Sequence, residues 1–307
     1  MSSRTRTPAA LEPYLRLPPA DSLTLLTGTL GNSAHWLLAR FAGSLLTRQP
    51  TAPHDDPLGV QAPEAAVVLV SWLRDLTFWK AELRRSGGVD TTTLMKERRF
   101  AFVDCFTTLG ALNQGEGDAL AVMERSITAA IHDTTSAQKS RPTVLLLDNP
   151  DVLLALGLST APHLSALLLR LRSSVHATIL SCAADSPLLS AAAAAAVTSE
   201  AAEPLATALE AAAAAFAVQQ AHAARVVMGV RGLETGAAGD VSGELRVTRG
   251  AGVYDAEDDE EEGTQEWVKK EGKDDGVPNG EVRELEALYL VQRDGSVKVF
   301  ERGSSAL

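Results

Sequence analysis

Six short, nearly unbroken apolar runs set the terms for how this chain can fold. They are Leu23–Thr27, Val67–Trp72, Phe100–Phe106, Thr143–Asp148, Ala177–Cys182 and Val226–Val230, and stretches with helical spacing separate them. A strand that faces water on one side alternates apolar and polar residues. Runs without alternation read as strands buried on both faces, and hence as a mostly parallel sheet with helices on either side. The intervening stretches fit. In Ser33–Thr47, residues Leu37, Leu38, Phe41 and Leu45 form one stripe, and Asn32 or Ser33 can cap its first turn. Asp118–His132 carries Leu120, Met123, Ile127 and Ile131 at helical spacing, and His163–Arg172 and Ala206–His222 read as further helices. The alanine runs at 191–196 and 211–215 also favour helix. Near the end, Ala287–Val291 and Ser296–Phe300 flank Arg293-Asp294-Gly295, and Asp-Gly between two strand-like runs signals a hairpin.

The 307 residues suffice for one large α/β domain, and with 45% hydrophobic but 5% aromatic residues its core must be mainly Leu, Val and Ala. The net charge of −11 is unevenly distributed. Asp255–Asp275 holds eleven acids against three lysines, so the remainder of the chain is near neutral at −3. Like charges that dense cannot bury apolar area, and the segment reads as a disordered insertion. The expected organisation is an N-terminal arm at 1–20, the main domain at 21–250, the acidic insertion at 251–280, and a hairpin completing the domain at 281–307. Arg48–Pro63, with four prolines, reads as a loop. Two cysteines, Cys105 and Cys182, in apolar runs imply buried, reduced thiols and a cytoplasmic or nuclear setting. The basic start lacks an apolar core, so no secretory signal is read there, and no uninterrupted stretch of 18 apolar residues suggests a membrane span.

The first strand runs into Gly28-Thr29-Leu30-Gly31-Asn32-Ser33-Ala34-His35, and a helix follows. Strand, glycine turn, helix is the layout of a phosphate-binding loop, G-x-x-x-x-G-K-[ST], whose lysine neutralises phosphate and whose hydroxyl holds Mg²⁺. Laid on Gly28, that pattern places Ser33 at the second glycine, Ala34 at the lysine and His35 at the hydroxyl. The shape is kept and the charge is lost. Asp148 ends an apolar strand as a Mg²⁺-binding acid would. Without the lysine, its expected role is to cap the following helix together with Asn149 and Pro150. Ser33 and His35 lack the G-x-S-x-G elbow of a hydrolase, and the scattered histidines show no zinc spacing, so no metal or cofactor is expected. Two basic clusters, Lys80/Arg84/Arg85 and Lys96/Arg98/Arg99, are candidates to neutralise nucleic-acid phosphates; the plainer reading is a solvated face paired with Glu82 and Glu97.

The order of elements, the altered loop and the VLLLD strand resemble a RecA-like domain without intact Walker A residues. Within that group, residues 11–41 (LEPYLRLPPADSLTLLTGTLGNSAHWLLARF), 67–90 (VVLVSWLRDLTFWKAELRRSGGVD), 99–109 (RFAFVDCFTTL) and 143–155 (TVLLLDNPDVLLA) resemble the Elongator complex protein 6 family, especially its fungal forms. The second segment is the most specific, with Arg74-Asp75 and then Phe78-Trp79-Lys80 opening a helix. The resemblance implies a non-catalytic subunit. It would join two sister RecA-like subunits, Elongator proteins 4 and 5, in a hetero-hexameric ring. That ring works with the catalytic Elongator subcomplex, binds tRNA, and supports modification of the wobble uridine. Two other readings stay open: a RecA/KaiC-type NTPase that holds nucleotide through backbone N–H groups of the altered loop, and a recombination-mediator paralogue that binds DNA.

If the acidic segment is a solvated insertion, replacing Asp255–Asp275 with a short Gly/Ser linker should leave the melting temperature and partner assembly unchanged. A large loss in either would mean that the segment is docked, with Trp267 the natural anchor.

Overall fold

The computed structural model describes residues 7–47, 65–112, 119–190, 207–236, 238–252 and 282–301. The proline-rich loop, the alanine run at 191–196 and the acidic stretch lie outside them. One nine-stranded sheet organises the rest, in the order β3-β2-β4-β5-β1-β6-β7-β8-β9. Its parallel part comprises β1 (Ser22–Gly28), β2 (Ala66–Ser71), β3 (Phe100–Asp104), β4 (Thr143–Asp148), β5 (Ala177–Ala183) and β6 (Val226–Arg231). These are the six apolar runs, and β2 and β4 are buried at every position. The antiparallel part, β7 (Gly243–Arg249), β8 (Leu285–Val291) and β9 (Val297–Glu301), extends the sheet from β6. The architecture is the mostly parallel α/β sheet flanked by helices expected from the sequence, antiparallel extension included.

Helices cover both faces. On one side, α1 (His35–Leu46), α2 (Leu76–Gly87) and α3 (Thr91–Lys96) bury Trp36, Leu37, Phe41, Trp79 and Leu83 against the sheet. Residues of the N-terminal arm join that core, with Leu11 and Leu15 fully buried. On the other side lie α4 (Cys105–Leu112), α5 (Ala119–Ala137), α6 (Val152–Ala155), α7 (Ala161–Arg172) and α8 (Ala208–Ala223). Thr207 caps α8 through a full capping box with Glu210, which starts an alanine-rich helix with almost no amphipathic stripe. The buried Arg40 of α1 fastens the C-terminal hairpin to this body. Its guanidinium donates to the Ser86 carbonyl (2.8 Å) and to the Gly295 carbonyl (2.5 Å) in the β8–β9 turn.

Three local expectations need correction. The run Phe100–Phe106 is not all strand. Asp104 accepts hydrogen bonds from the Thr107 N–H (2.7 Å) and hydroxyl (2.8 Å), and this turns the chain into α4 at Cys105. Cys105 is buried there and Phe106 is exposed. Neither Asn32 nor Ser33 caps α1; the cap position is Ala34, with no side-chain bond. The strand β7 went unread, although Leu245 and Val247 alternate with polar residues and point into the core. Both cysteines are buried, as expected, and burial pushes the Cys105 thiol up to about 12. No helix among the described residues is long and apolar enough to cross a membrane.

At the carboxyl end of the sheet, Asp151 ties β4 to β5 by accepting from the Ala183 N–H (3.0 Å) and the Asn149 side-chain amide (3.3 Å). Burial, with a smaller push from Asp148, raises its pKa to about 6. Its folded value therefore exceeds its unfolded one, so this group's contribution is most favourable below about pH 4 and declines as pH rises through about 6. Asp151→Asn, whose carbonyl can still accept from Ala183, should gain stability over the parent as pH rises from 4 to 7, by about 3 kcal/mol at most. Urea unfolding at several pH values checks this; a difference that stays constant with pH would refute it.

Candidate functional site

Doubly wound sheets bind ligands outside the carboxyl ends of their strands, where connections leave to opposite faces. Here that place lies around the end of β1. Its connection leads to α1 on one face, whereas those from β4 and β5 lead to α7 and α8 on the other. The altered loop sits there, and its local structure is unlike a phosphate cradle. The Thr29 N–H donates to the Asn32 carbonyl (3.2 Å) and the Asn32 N–H donates back to the Thr29 carbonyl (2.8 Å). The chain thus closes into a tight turn, with Gly31 at φ +83°. Gly28 makes this possible, since a Cβ there would stand 2.8 Å from the Asn32 carbonyl oxygen. The Leu30 N–H donates to Asp185 Oδ1 (2.6 Å) from the segment after β5. Three loop amides are therefore committed, and a carboxylate already occupies an anion's place beside the turn.

Asp148 does not cap a helix. It is fully buried, at 0% exposure, and accepts from Arg74 Nη1 at both oxygens (2.8 and 2.9 Å) and from Ser71 Oγ (2.7 Å). The helix that follows, α6, has Asp151 at its cap position and no side-chain cap. Strand register explains the pairing, because Ser71 lies directly opposite Asp148 in the β2–β4 ladder and Arg74 leaves β2 three residues later. Arg74 then bridges to the loop: its Nη2 donates to Ser33 Oγ (3.0 Å), while its guanidinium lies 5.3 Å from the centre of the Phe78 ring. Asp75 accepts from the Phe78 N–H (2.8 Å) and caps α2, which fixes Phe78 there. An arginine from the chain itself thus spans the acid that ends β4 and the loop after β1. A metal ion and a phosphate-binding lysine would otherwise act across that gap. Burial and the nearby Arg74 hold the His35 imidazole below its usual pKa, so it is neutral at pH 7.

Asn32 serves the fold in another way. With the amide oriented to satisfy its neighbours, its oxygen accepts from the Gly232 N–H (3.1 Å) and its nitrogen donates to the Ser242 carbonyl (2.9 Å) and the Tyr289 hydroxyl (3.2 Å). The side chain thereby staples the loop to the ends of β6, β7 and β8.

The basic candidates are divided. Arg85 pairs with the buried Glu82 and donates to the Arg293 carbonyl in the hairpin turn (3.3 Å). Arg99 donates to the Leu46 carbonyl at the end of α1 (3.0 Å) and lies 3.9 Å from Glu97. Both have structural tasks. Arg84 and Arg98 are exposed, and Lys80 is half-buried. Arg98 and Arg99 immediately precede β3, so they sit at the opposite end of the parallel strands from the altered loop. Five large apolar side chains stand exposed on the loop's end instead: Leu30 (92%) after β1, Leu73 after β2, Phe106 after β3, and Leu156 and Leu158 after β4. No cluster of three or more metal-ligating side chains occurs among the described residues.

Arg74, Ser71 and Asp185 were not among the sequence-derived site residues. The available signal was a cation three residues beyond a buried strand, and it acquires meaning only once that strand is known to neighbour the one ending in Asp148.

Comparison with known proteins places this geometry in a family. No curated protein matches the chain significantly. The structure of a KaiC-like protein from the hyperthermophilic archaeon Pyrococcus horikoshii is similar at 13% identity and a TM-score of 0.49, covering 98% of this chain and 99% of that one. Residues 64–269, about two thirds of the chain, match the family model described as Elongation complex protein 6. That span contains three of the four segments with sequence resemblance, with Arg74 and Asp148 among their residues, and extends through the alanine-rich part into the acidic stretch. The chain belongs to the Elongator complex protein 6 family.

Proposed function

We propose that this protein is a non-catalytic RecA-like subunit of a hetero-hexameric ring in the Elongator complex. In that ring it supports tRNA wobble-uridine modification through assembly and tRNA binding. Its partners would be the two sister RecA-like subunits, proteins 4 and 5, together with the catalytic subcomplex, in the cytoplasm and nucleus. The observation that carries this reading is the Arg74 bridge between Asp148 and Ser33, which neutralises internally the charges a nucleotide and its metal would require. The apolar side chains uncovered on the same end of the sheet fit a surface that another subunit covers. The alternative, nucleotide held by loop amides alone, is disfavoured by the amides already committed to Asn32, Thr29 and Asp185.

An internal bridge predicts a double-mutant cycle and an absence of turnover. Arg74→Leu leaves the buried Asp148 carboxylate without its counter-charge and should cost about 3 kcal/mol. Adding Asp148→Leu should restore most of that, because two apolar side chains replace the pair without orphaning a charge. ATP hydrolysis by the isolated parent chain should stay at background, since Ala34 offers nothing to a developing phosphoryl charge. Steady hydrolysis dependent on Mg²⁺ would promote the NTPase reading.

The ring should bind tRNA far more tightly than the isolated chain, because a near-neutral body holds too few cations alone. Arg84, Arg85, Arg98, Arg99 and Lys80 are the proposed contribution. Replacing all four arginines would also disturb the hairpin turn and the end of α1. The exposed pair Arg84→Ala/Arg98→Ala is the cleaner test, and in the ring it should lower the salt-dependence slope by about two. A ring that assembles and binds with an unchanged slope would move the RNA path elsewhere.

A further inference from the structure

Beside the altered loop, on the side away from Arg74, lies a cleft of about 620 Å³. It is walled by the loop and the start of α1, by the segment joining β6 to β7, and by the end of β8. Such a volume suits a small organic ligand. Its chemistry is unusual for a chain that is 22% charged: among the described residues no aspartate, glutamate, lysine or arginine lines it. The apolar walls come from Leu233, Val241 and Val291, and the polar groups are neutral ones from Asn32, His35, Trp36, Ser242 and Tyr289.

Three features make this a built cavity. The Asn32 amide bonds to Gly232, Ser242 and Tyr289 at once, so all three walls are fixed to one another before any ligand arrives. Trp36 and Tyr289 stack at 4.9 Å and form a buried aromatic base. Burial pushes the Tyr289 phenol up to about 12, against a smaller pull from the Trp36 N–H, so it keeps its proton at every physiological pH. The third feature is unspent hydrogen-bonding capacity. The buried His35 Nδ1 has no hydrogen-bond partner among the described residues, and the buried Trp36 Nε1 has only a poorly aligned one in the Tyr289 hydroxyl. Unmet buried groups are costly and call for a partner. Next to them, Asp185 from the segment after β5 is bonded to the loop that would hold a ligand's phosphates.

We infer that this cleft binds an uncharged heteroaromatic ring of the nucleobase type, presented by a free nucleoside or by an unpaired base of RNA, and that it discriminates against nucleoside polyphosphates. The chain has kept room for a flat, hydrogen-bonding ring while losing the means to hold phosphate. This inference goes beyond the ring assignment and does not rest on it, because the isolated chain suffices for the test.

The experiment follows the Trp36 indole N–H resonance of the isolated chain, assigned by its loss in Trp36→Phe. Uridine, cytidine, adenosine and guanosine are titrated separately, then ATP with Mg²⁺, then an unstructured oligoribonucleotide. At least one nucleoside should shift the resonance saturably, and Trp36→Phe should weaken its binding, read by calorimetry, roughly tenfold by removing one donor. The triphosphate of the same base should bind at least as much more weakly. Val241→Trp, a rim change that fills the cleft without touching the core, should abolish binding while leaving the melting temperature intact. A response to the oligonucleotide as well as the nucleoside identifies an RNA base as the source, and a response to the nucleoside alone identifies a small molecule. If no nucleoside shifts Trp36, if Val241→Trp binds normally, or if ATP binds better than adenosine, the inference is overturned.

Discussion

A carboxylate with no exposed surface cannot be left without a counter-charge, and the arrangement around Asp148 follows from that need. The Arg74 guanidinium supplies two short bonds and Ser71 a third, so both carboxylate oxygens are satisfied. Buried pairs of this kind gain little net stability, because desolvation consumes most of the attraction. They constrain geometry instead. Arg74 can reach Asp148 only if β2 and β4 pair in their observed register, and it can reach Ser33 only if the loop after β1 lies across the ends of β4 and β5. One side chain thus joins the carboxyl ends of strands from different parts of the chain.

The same bridge gives the altered loop its meaning. A phosphate-binding loop is an array of unspent N–H donors that awaits an anion. This loop has spent the Thr29, Leu30 and Asn32 donors, on its own turn and on Asp185, and its nearest cation is committed to Asp148. Loss of the lysine is therefore only part of the change. Restoring a lysine at Ala34 would still leave a fixed negative charge beside the turn and an arginine across the metal position. The neighbouring cleft follows different rules: the described residues of its walls carry no charge, and Asn32 holds them together.

Much of the sheet could be read from the chain because burial on both faces leaves a signature that needs no partner to recognise. The six apolar runs became the six parallel strands, and Asp294-Gly295 became the turn of the C-terminal hairpin. What escaped reading depends on neighbours. Asp104 ends β3 through a bond to Thr107, which local hydrophobicity at Cys105 and Phe106 hides. β7 interleaves Leu245 and Val247 with charged and polar residues, and an alternation that brief does not stand out without β6 beside it. Asp148 was read as a cap because its true partner, Arg74, lies 74 residues away and meets it only through strand order. The four arginines looked equivalent in sequence, whereas carbonyls at the end of α1 and in the hairpin turn claim two of them.

The position of β1 has a consequence for how the protein comes into being. Among the strands of this sheet it is synthesised first, yet both of its neighbours come late: Ser22 pairs with Ala177, and Thr24 with Val226. At roughly 5–20 residues per second of translation, this strand waits on the order of ten seconds or more for its neighbours, with its apolar edges open. The β2–β3–β4 sub-sheet can close in the meantime, and β1 then enters as the last seam between it and the C-terminal strands. A nascent chain built in this order keeps apolar strand edges uncovered through most of its synthesis, and its sheet becomes continuous across β1 only when β5 and β6 have emerged.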